Sequence, residues 1–308
     1  MTDFSLAADD YLATRRAMGY KLGEHGRLLR QFVTHLETVG AEHLTIAHAV
    51  SWAKQPADGA LVWWAFKFGI CRQFARYLST LDPVTEVPPT GLFPEPSHRI
   101  VPYIYSDDDV TRVLEAASRL PPEHRADTYR TLIALVAATG MRNGEAVRLD
   151  RDDVDLADGI LTIRDSKFDK SRQVPVHPST VAALGAYAER RDGRRPRPKS
   201  GSFFTSTTGT RLIRDNVSTV FHRLVRDAGL RPGPSSRLPR LHDLRHTFAV
   251  KCVIGWYRAG VDVDARLPLL STYLGHVSPR ETYWYLTGVP ELLALVAERM
   301  DTAPEVTP

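Results

Sequence analysis

Over the first eighty or so residues the apolar positions recur at three- and four-residue steps, the spacing of a helix with one buried face. In GEHGRLLRQFVTHLETVG, Leu28, Leu29, Phe32, Val33 and Leu36 fall on one face and Gly40 supplies a stop. Thr45 is placed to cap a short helix through Ala53, since its hydroxyl accepts from a backbone N–H of the first turn. The next stretch, LVWWAFKFGICRQFARYLSTL, is apolar around most of its circumference and predicts a deeply buried helix. Four helices thus make a small domain over residues 1–82. In residues 83–102 the repeated prolines of LDPVTEVPPTGLFPEPSHRIVP remove backbone donors and disfavour helix, which predicts a linker.

A second domain is expected over residues 103–290. Ser106 and the acidic run behind it cap the helix DVTRVLEAASRL, and YRTLIALVAATG stops at Gly140. After a helical NGEAVRL, two short β-prone runs in GILTIRDSKFDKSRQVPVHP flank a polar turn and predict a hairpin. Helices return at Ser179 to Arg191 and near Asp215, with the Arg- and Pro-rich stretches DGRRPRPKSGS and RPGPSSRLPR as exposed loops beside them. Residues 291–308 are expected to form a terminal helix and a polar tail. The fold class expected is mainly α with a small antiparallel β-sheet.

Composition narrows the function classes. Of 308 residues, 43% are hydrophobic and 25% charged, an ordinary folded chain rather than a disordered one. Cys71 and Cys252 stand far apart with no spaced ligands, so neither a disulfide framework nor a zinc site is expected, and both read as buried small hydrophobes. No apolar run of spanning length and no signal-peptide pattern occur, which predicts a cytoplasmic protein, nucleoid-associated when on DNA. The formal charge of +4 is unevenly spread. Ala186 to Lys251 holds 15 basic against 5 acidic residues, and the remainder 25 against 31. A solvated Arg-rich face would explain this, and so would a surface for a polyanion such as DNA.

The densest chemical signal is LHDLRHTFAV, where His242 and Arg245 share one face at a helix start, a place that attracts phosphate. In YLGHVSPRETYWYL, His276 precedes a helix start with Ser278 as cap, Pro279 at the first helical position and Glu281 completing a capping box, and Tyr285 sits in that helix. Arg142 follows the glycine stop in ATGMRNGEAVRL, where Glu145 could orient it from the next helix. Lys167 and Lys170 lie at the hairpin turn. Taken singly, each has an ordinary reading as a surface charge or a packed aromatic cluster.

As an ordered set, TGMRNGE, the hairpin lysine before RQVPV, HDLRHTFA, LGH, and a tyrosine nine residues after that histidine resemble the catalytic domain of the tyrosine recombinase (phage integrase) family, over roughly Tyr129 to Leu286. The helical N-terminal segment is similar in position and size to the family's SAM-like core-binding domain. The resemblance implies Arg142 and Arg245 as paired arginines, His242 and His276 as the two histidines, Lys167 as the hairpin lysine and Tyr285 as the nucleophile, with Glu145 supporting. Counting back from the VPV strand favours Lys167 over Lys170, and the family spacing favours Tyr285 over Tyr283.

The implied chemistry suits these residues. Two planar guanidiniums hold the non-bridging oxygens of a phosphodiester without a metal ion. A tyrosine with a reference pKa near 10 needs a base and a positive field to attack at neutral pH. The departing 5′ oxygen needs a proton, which a hairpin lysine could deliver. A covalent 3′-phosphotyrosine keeps the bond's free energy, so no ATP is required. Neither a Gly-x-x-x-x-Gly-Lys loop nor a two-metal carboxylate set is present, and no cofactor is expected. The partners implied are double-stranded DNA with specific recombination sites and a homo-tetramer of the chain on it. A type IB topoisomerase and a non-catalytic DNA-binding protein of the same fold are the competing functions.

Overall fold

In the computed structural model the described residues are 3–93, 101–164, 171–194, 199–233 and 237–276, and they fall into two units, Met1–Arg99 and Ile100–Pro308. The first is built from α1 (Phe4–Ala17), α2 (Gly23–Thr38), α3 (Ile46–Ala53) and α4 (Leu61–Leu78). Asp3 and Thr45 cap α1 and α3, each side chain accepting a first-turn backbone N–H. Leu12, Leu28, Leu29, Phe32, Leu36, Trp52, Phe74 and Leu78 form the core between them. Buried Lys67 donates to the carbonyls of Trp52 and Gln55 at 2.7 and 2.8 Å, satisfying the C-terminal end of α3.

The deep burial expected for α4 holds only over its later turns. From Lys67 onward Phe68, Ile70, Cys71, Phe74, Ala75 and Leu78 are buried, whereas Leu61 and Val62 are 56% and 57% exposed. Trp64 and Ala65 are only partly covered, Phe66 meets His25 of α2 edge-on, and full burial starts at Lys67; an all-round apolar composition does not by itself reveal where that cover thins. The Pro-rich stretch lies along the same unit as far as Phe93. Ile46 donates to Glu86 Oε2 at 2.7 Å, Arg72 to the Pro88 carbonyl at 2.9 Å, and Phe93 packs edge-on against Phe68.

The second unit is mainly helical, with α5 (Asp107–Ser118), α6 (Glu123–Thr139), α7 (Asn143–Arg148), α8 (Pro178–Arg194), α9 (Arg214–Asp227), α10 (Leu241–Arg258) and α11 (Val263–Leu274) around a small antiparallel sheet. Ser106 caps α5, and Gly140 ends α6 in the left-handed region. The strands β1 (Val154–Asp155), β2 (Ile160–Ile163) and β3 (Arg172–Pro175) pair in the order β1-β2-β3. Leu161 faces Val174 and Ile163 faces Arg172, so Arg172 points to the same side as three buried apolar residues. One core joins α5, α6, the sheet, α8 and α9 to the start of α10, through Leu132, Val136, Tyr187, Phe204, Phe221 and Leu244. A second, between α10 and α11, contains Val253, Leu267 and Leu274. Cys252 is only half-buried, against expectation, because it lies at the edge of that cluster. Among the described residues no helix is long and apolar enough to cross a membrane.

Candidate active site

Helix ends bring the candidate residues together. Gly140 closes α6 and Gly275 closes α11, both with positive φ, and their carbonyls, with that of Leu274, receive Arg142 and Arg245. Arg245 donates from Nη1 to the Gly140 carbonyl at 2.9 Å and from Nη2 to the Leu274 carbonyl at 2.8 Å. Arg142 donates from Nη2 to the Gly275 carbonyl at 2.9 Å. The negative ends of two helix dipoles therefore hold guanidiniums, which is favourable for cations and satisfies carbonyls left over at helix ends.

Arg142 occupies the N-cap position of α7 and is fixed a second time by Glu145. Glu145 Oε1 accepts from Arg142 Nη1 at 2.8 Å and Oε2 from the Arg142 backbone N–H at 2.9 Å. The Glu145 carboxyl is 3% exposed, and burial alone would raise its pKa. Hydrogen bonds and charge from Arg172, then from Arg142, outweigh that and bring it down to about 2. Arg172 was not singled out in the sequence. It forms a fork with Glu145 at 3.1 and 2.8 Å and donates from Nε to the Tyr273 carbonyl at 2.9 Å. Its signal was the inward register of the first residue of RQVPV, visible only once the strand pairing is known.

His242 lies in the first turn of α10 and is exposed, while Arg245 one turn on is 1% exposed. Asp243 fixes that turn by accepting from the Arg240 backbone and side chain at 2.8 and 2.9 Å. Tyr105 holds it from outside the helix, its N–H donating to Thr247 and its hydroxyl to the Arg240 carbonyl at 3.0 and 3.1 Å. The protein around the His242 ring, then Arg245, lowers its pKa, with Asp243 opposing. Its ring stands edge-on to that of His246, centroids 5.1 Å apart. His276, directly after Gly275, has its Nε2 2.7 Å from Arg245 Nη2. Burial, then Arg245, Arg142 and Arg172, lower its pKa to about 3, so the ring is neutral and its Nε2 accepts from the arginine.

Arg142, Glu145, His242, Arg245 and His276 thus meet at one place. Lys167, Lys170, Tyr283 and Tyr285 lie outside the described residues, as do the expected capping box at Ser278 and the terminal helix. Among the described residues no group of His, Cys, Asp or Glu side chains could hold a metal ion.

The basic stretch is less free than its composition suggested. Arg191 is 3% exposed and donates to the Phe203 carbonyl and Asp192, and Arg194 pairs with Glu123 and Asp127. The first expected exposed loop is in part the end of α8, which runs on to Arg194.

A mainly helical unit with a small antiparallel sheet thus brings two arginines and two histidines together near converging helix ends. The phage integrase family model matches residues 105–289, and the chain belongs to this family of tyrosine-type DNA recombinases. It is 42% identical over 307 residues to putative integrase/recombinase y4rB of Sinorhizobium fredii (strain NBRC 101917 / NGR234), covering 98% of each chain. It is 34% identical over 217 residues to tyrosine recombinase XerD of Mycobacterium tuberculosis (strain ATCC 25618 / H37Rv), covering 68% of this chain and 63% of that one. The fold is similar to that of a lambda integrase tetramer bound to a Holliday junction, at a TM-score of 0.60 and 16% identity, over 91% of this chain and 79% of that one.

Proposed function

We propose that the chain cuts and rejoins DNA at specific sites through a covalent 3′-phosphotyrosyl intermediate on Tyr285. The observation that carries this reading is the convergence of Arg142, Arg245 and His276 on the ends of α6 and α11, with His242 beside them in the first turn of α10. Tyr285 Oη attacks the scissile phosphorus, the P–O bond to the 5′ oxygen breaks, and that oxygen takes a proton from Lys167. His242, neutral near pH 7 because its pKa is lowered, accepts the phenolic proton. Arg142, with 26% of its side chain exposed, and His242 meet the phosphate first, while Arg245 adds its charge from beneath, where the low dielectric strengthens it. Once its ring is released from Arg245, His276 carries its single proton on Nε2 in place of Nδ1 and donates it to a phosphate oxygen. A 5′ hydroxyl from another strand then displaces Tyr285, so the exchange needs no ATP.

The assembly we infer on DNA is a homo-tetramer, as in the lambda integrase structure, with the apolar face of PELLALVAERM docked on a neighbouring copy. Truncation after Val289 then impairs pairing of two sites more than binding of one; equal loss of both counts against it.

The catalytic reading is tested with a nicked, labelled duplex made from the sequence the full chain selects out of a randomised duplex pool. A protein-linked DNA band on denaturing gels from wild type and Tyr283→Phe, absent from Tyr285→Phe, is the expected result. A band that survives in Tyr285→Phe moves the nucleophile elsewhere. Binding without a band from wild type favours a non-catalytic role.

A further inference from the structure

Glu145 is shared evenly between two arginines. Each of its oxygens accepts one N–H from Arg142 and one from Arg172: Oε1 from the two Nη1 atoms at 2.8 and 3.1 Å, Oε2 from the Arg142 backbone and Arg172 Nη2 at 2.9 and 2.8 Å. One negative charge thus faces two positive ones, and the group as a whole keeps one positive charge. Without Arg172 the same carboxylate would neutralise Arg142, and the field that Arg142 presents to a phosphate monoanion would be largely cancelled.

Arg172 itself has no route to the phosphate in this arrangement. Its Nε is bonded to the Tyr273 carbonyl, both Nη atoms to Glu145, and its side chain is 12% exposed. Its guanidinium lies close against Gly275, where a Cβ would come within 2.6 Å of Nη1 and 2.9 Å of Cζ. Through Tyr273 and Gly275 it also braces the chain that leads into His276.

We infer that Arg172 is a positioning residue for strand cleavage, which takes up the charge of Glu145 so that Arg142 remains cationic toward the scissile phosphate. This rests on the role proposed above for Arg142. A purely structural brace would hold the same atoms, but the charge role makes a prediction that a brace does not: removing the Glu145 charge repairs the loss of Arg172.

The experiment is single-turnover cleavage of the nicked duplex by the full chain, with affinity for the intact duplex and the melting temperature measured on the same samples. Arg172→Gln is expected to slow cleavage by about 100-fold with affinity changed by less than about threefold, the scale of losing one aimed charge. Adding Glu145→Gln to Arg172→Gln is expected to recover about tenfold, a coupling that independent losses do not give. Arg172→Lys, which keeps the charge without the fork, is expected to fall by only about tenfold. A double variant no faster than folded Arg172→Gln overturns the inference, as does folded Arg172→Lys no better than Arg172→Gln. If Arg172→Gln melts below the assay temperature, the Lys variant decides alone. Arg142→Ala cleaving at the wild-type rate would instead overturn the role of Arg142.

Discussion

Arg142 and Arg245 are tied to neighbouring carbonyls of one helix end, Arg245 to Leu274 at 2.8 Å and Arg142 to Gly275 at 2.9 Å. A single peptide unit therefore sets the separation of the two guanidiniums. Neither arginine needs the other as a contact, and like charges stay close because each is held by helix-end dipoles. LGH in the sequence is the trace of this arrangement: Leu and Gly supply the carbonyls, and the histidine follows them into the site.

Arg245→Lys should be damaging although the charge is retained. Arg245 bridges the Gly140 and Leu274 carbonyls with two different nitrogens and is 1% exposed. An ammonium reaches one such position and leaves a buried carbonyl unsatisfied. Expected are a loss of about 2–3 kcal/mol in urea denaturation and at least about a 100-fold slower cleavage. A variant as stable as wild type would show that the two carbonyl bonds do not hold the helix ends together.

Gly275→Ala compared with Gly40→Ala separates two effects of adding a methyl group. Both residues have positive φ, +70 and +66, so each alanine is strained by about 1 kcal/mol or more. At Gly40 nothing lies within 4 Å of the added carbon, whereas at Gly275 Arg172 Nη1 would be 2.6 Å away. Gly275→Ala should therefore lose cleavage as well as stability, since Arg172 must move off Glu145, and Gly40→Ala should lose stability alone. Equal effects on cleavage would remove the contact between Gly275 and Arg172 from the account.

Caps and stops were the most legible part of the chain. Thr45, Ser106 and Gly140 act locally, and the turns they dictate are where a sequence pattern places them. The helix α11 is absent from the sequence reading; Pro268 lies inside it and has no N–H to give the carbonyl one turn back. Arg142 and Glu145 could be paired from spacing alone. Arg172 could not, because its contacts lie 27 residues back at Glu145 and 101 residues on at Tyr273. The charge excess over Ala186–Lys251 was legible only as a sum, since composition does not record which arginines, such as Arg191 and Arg194, are satisfied internally.

Arg191 tests that last point. Its Nη1 donates to the Phe203 carbonyl at 2.6 Å, and Nε and Nη2 bond Asp192 at 2.8 Å each, from a position 3% exposed. Arg191→Ala should destabilise the chain by about 1–3 kcal/mol, mainly because the Phe203 carbonyl loses its buried donor, while the more exposed Asp192 keeps Arg151. The slope of log affinity against log salt for duplex binding should stay unchanged. A slope reduced by about 1 would mean that Arg191 contacts a phosphate after all.

Acid should unfold the second unit in two overlapping ranges. His246 and His276 are held down to about 3, by burial first and then by neighbouring cationic groups, so both are neutral when folded. Unfolded histidine takes up a proton below about 6.5, and stability is lost as pH falls from there toward 3, by up to about 1.4 kcal/mol per pH unit for each ring. Glu145 adds the lower range: its folded value of about 2 lies below the ordinary 4.5, so its contribution is complete above 4.5 and is lost as pH falls toward 2. The urea midpoint of the full chain should begin to fall below about pH 6.5 and fall faster below 4.5. His246→Phe should flatten the upper range and Glu145→Gln the lower one. If His246→Phe leaves the upper slope as in wild type, His246 is not the neutral buried ring that its surroundings require.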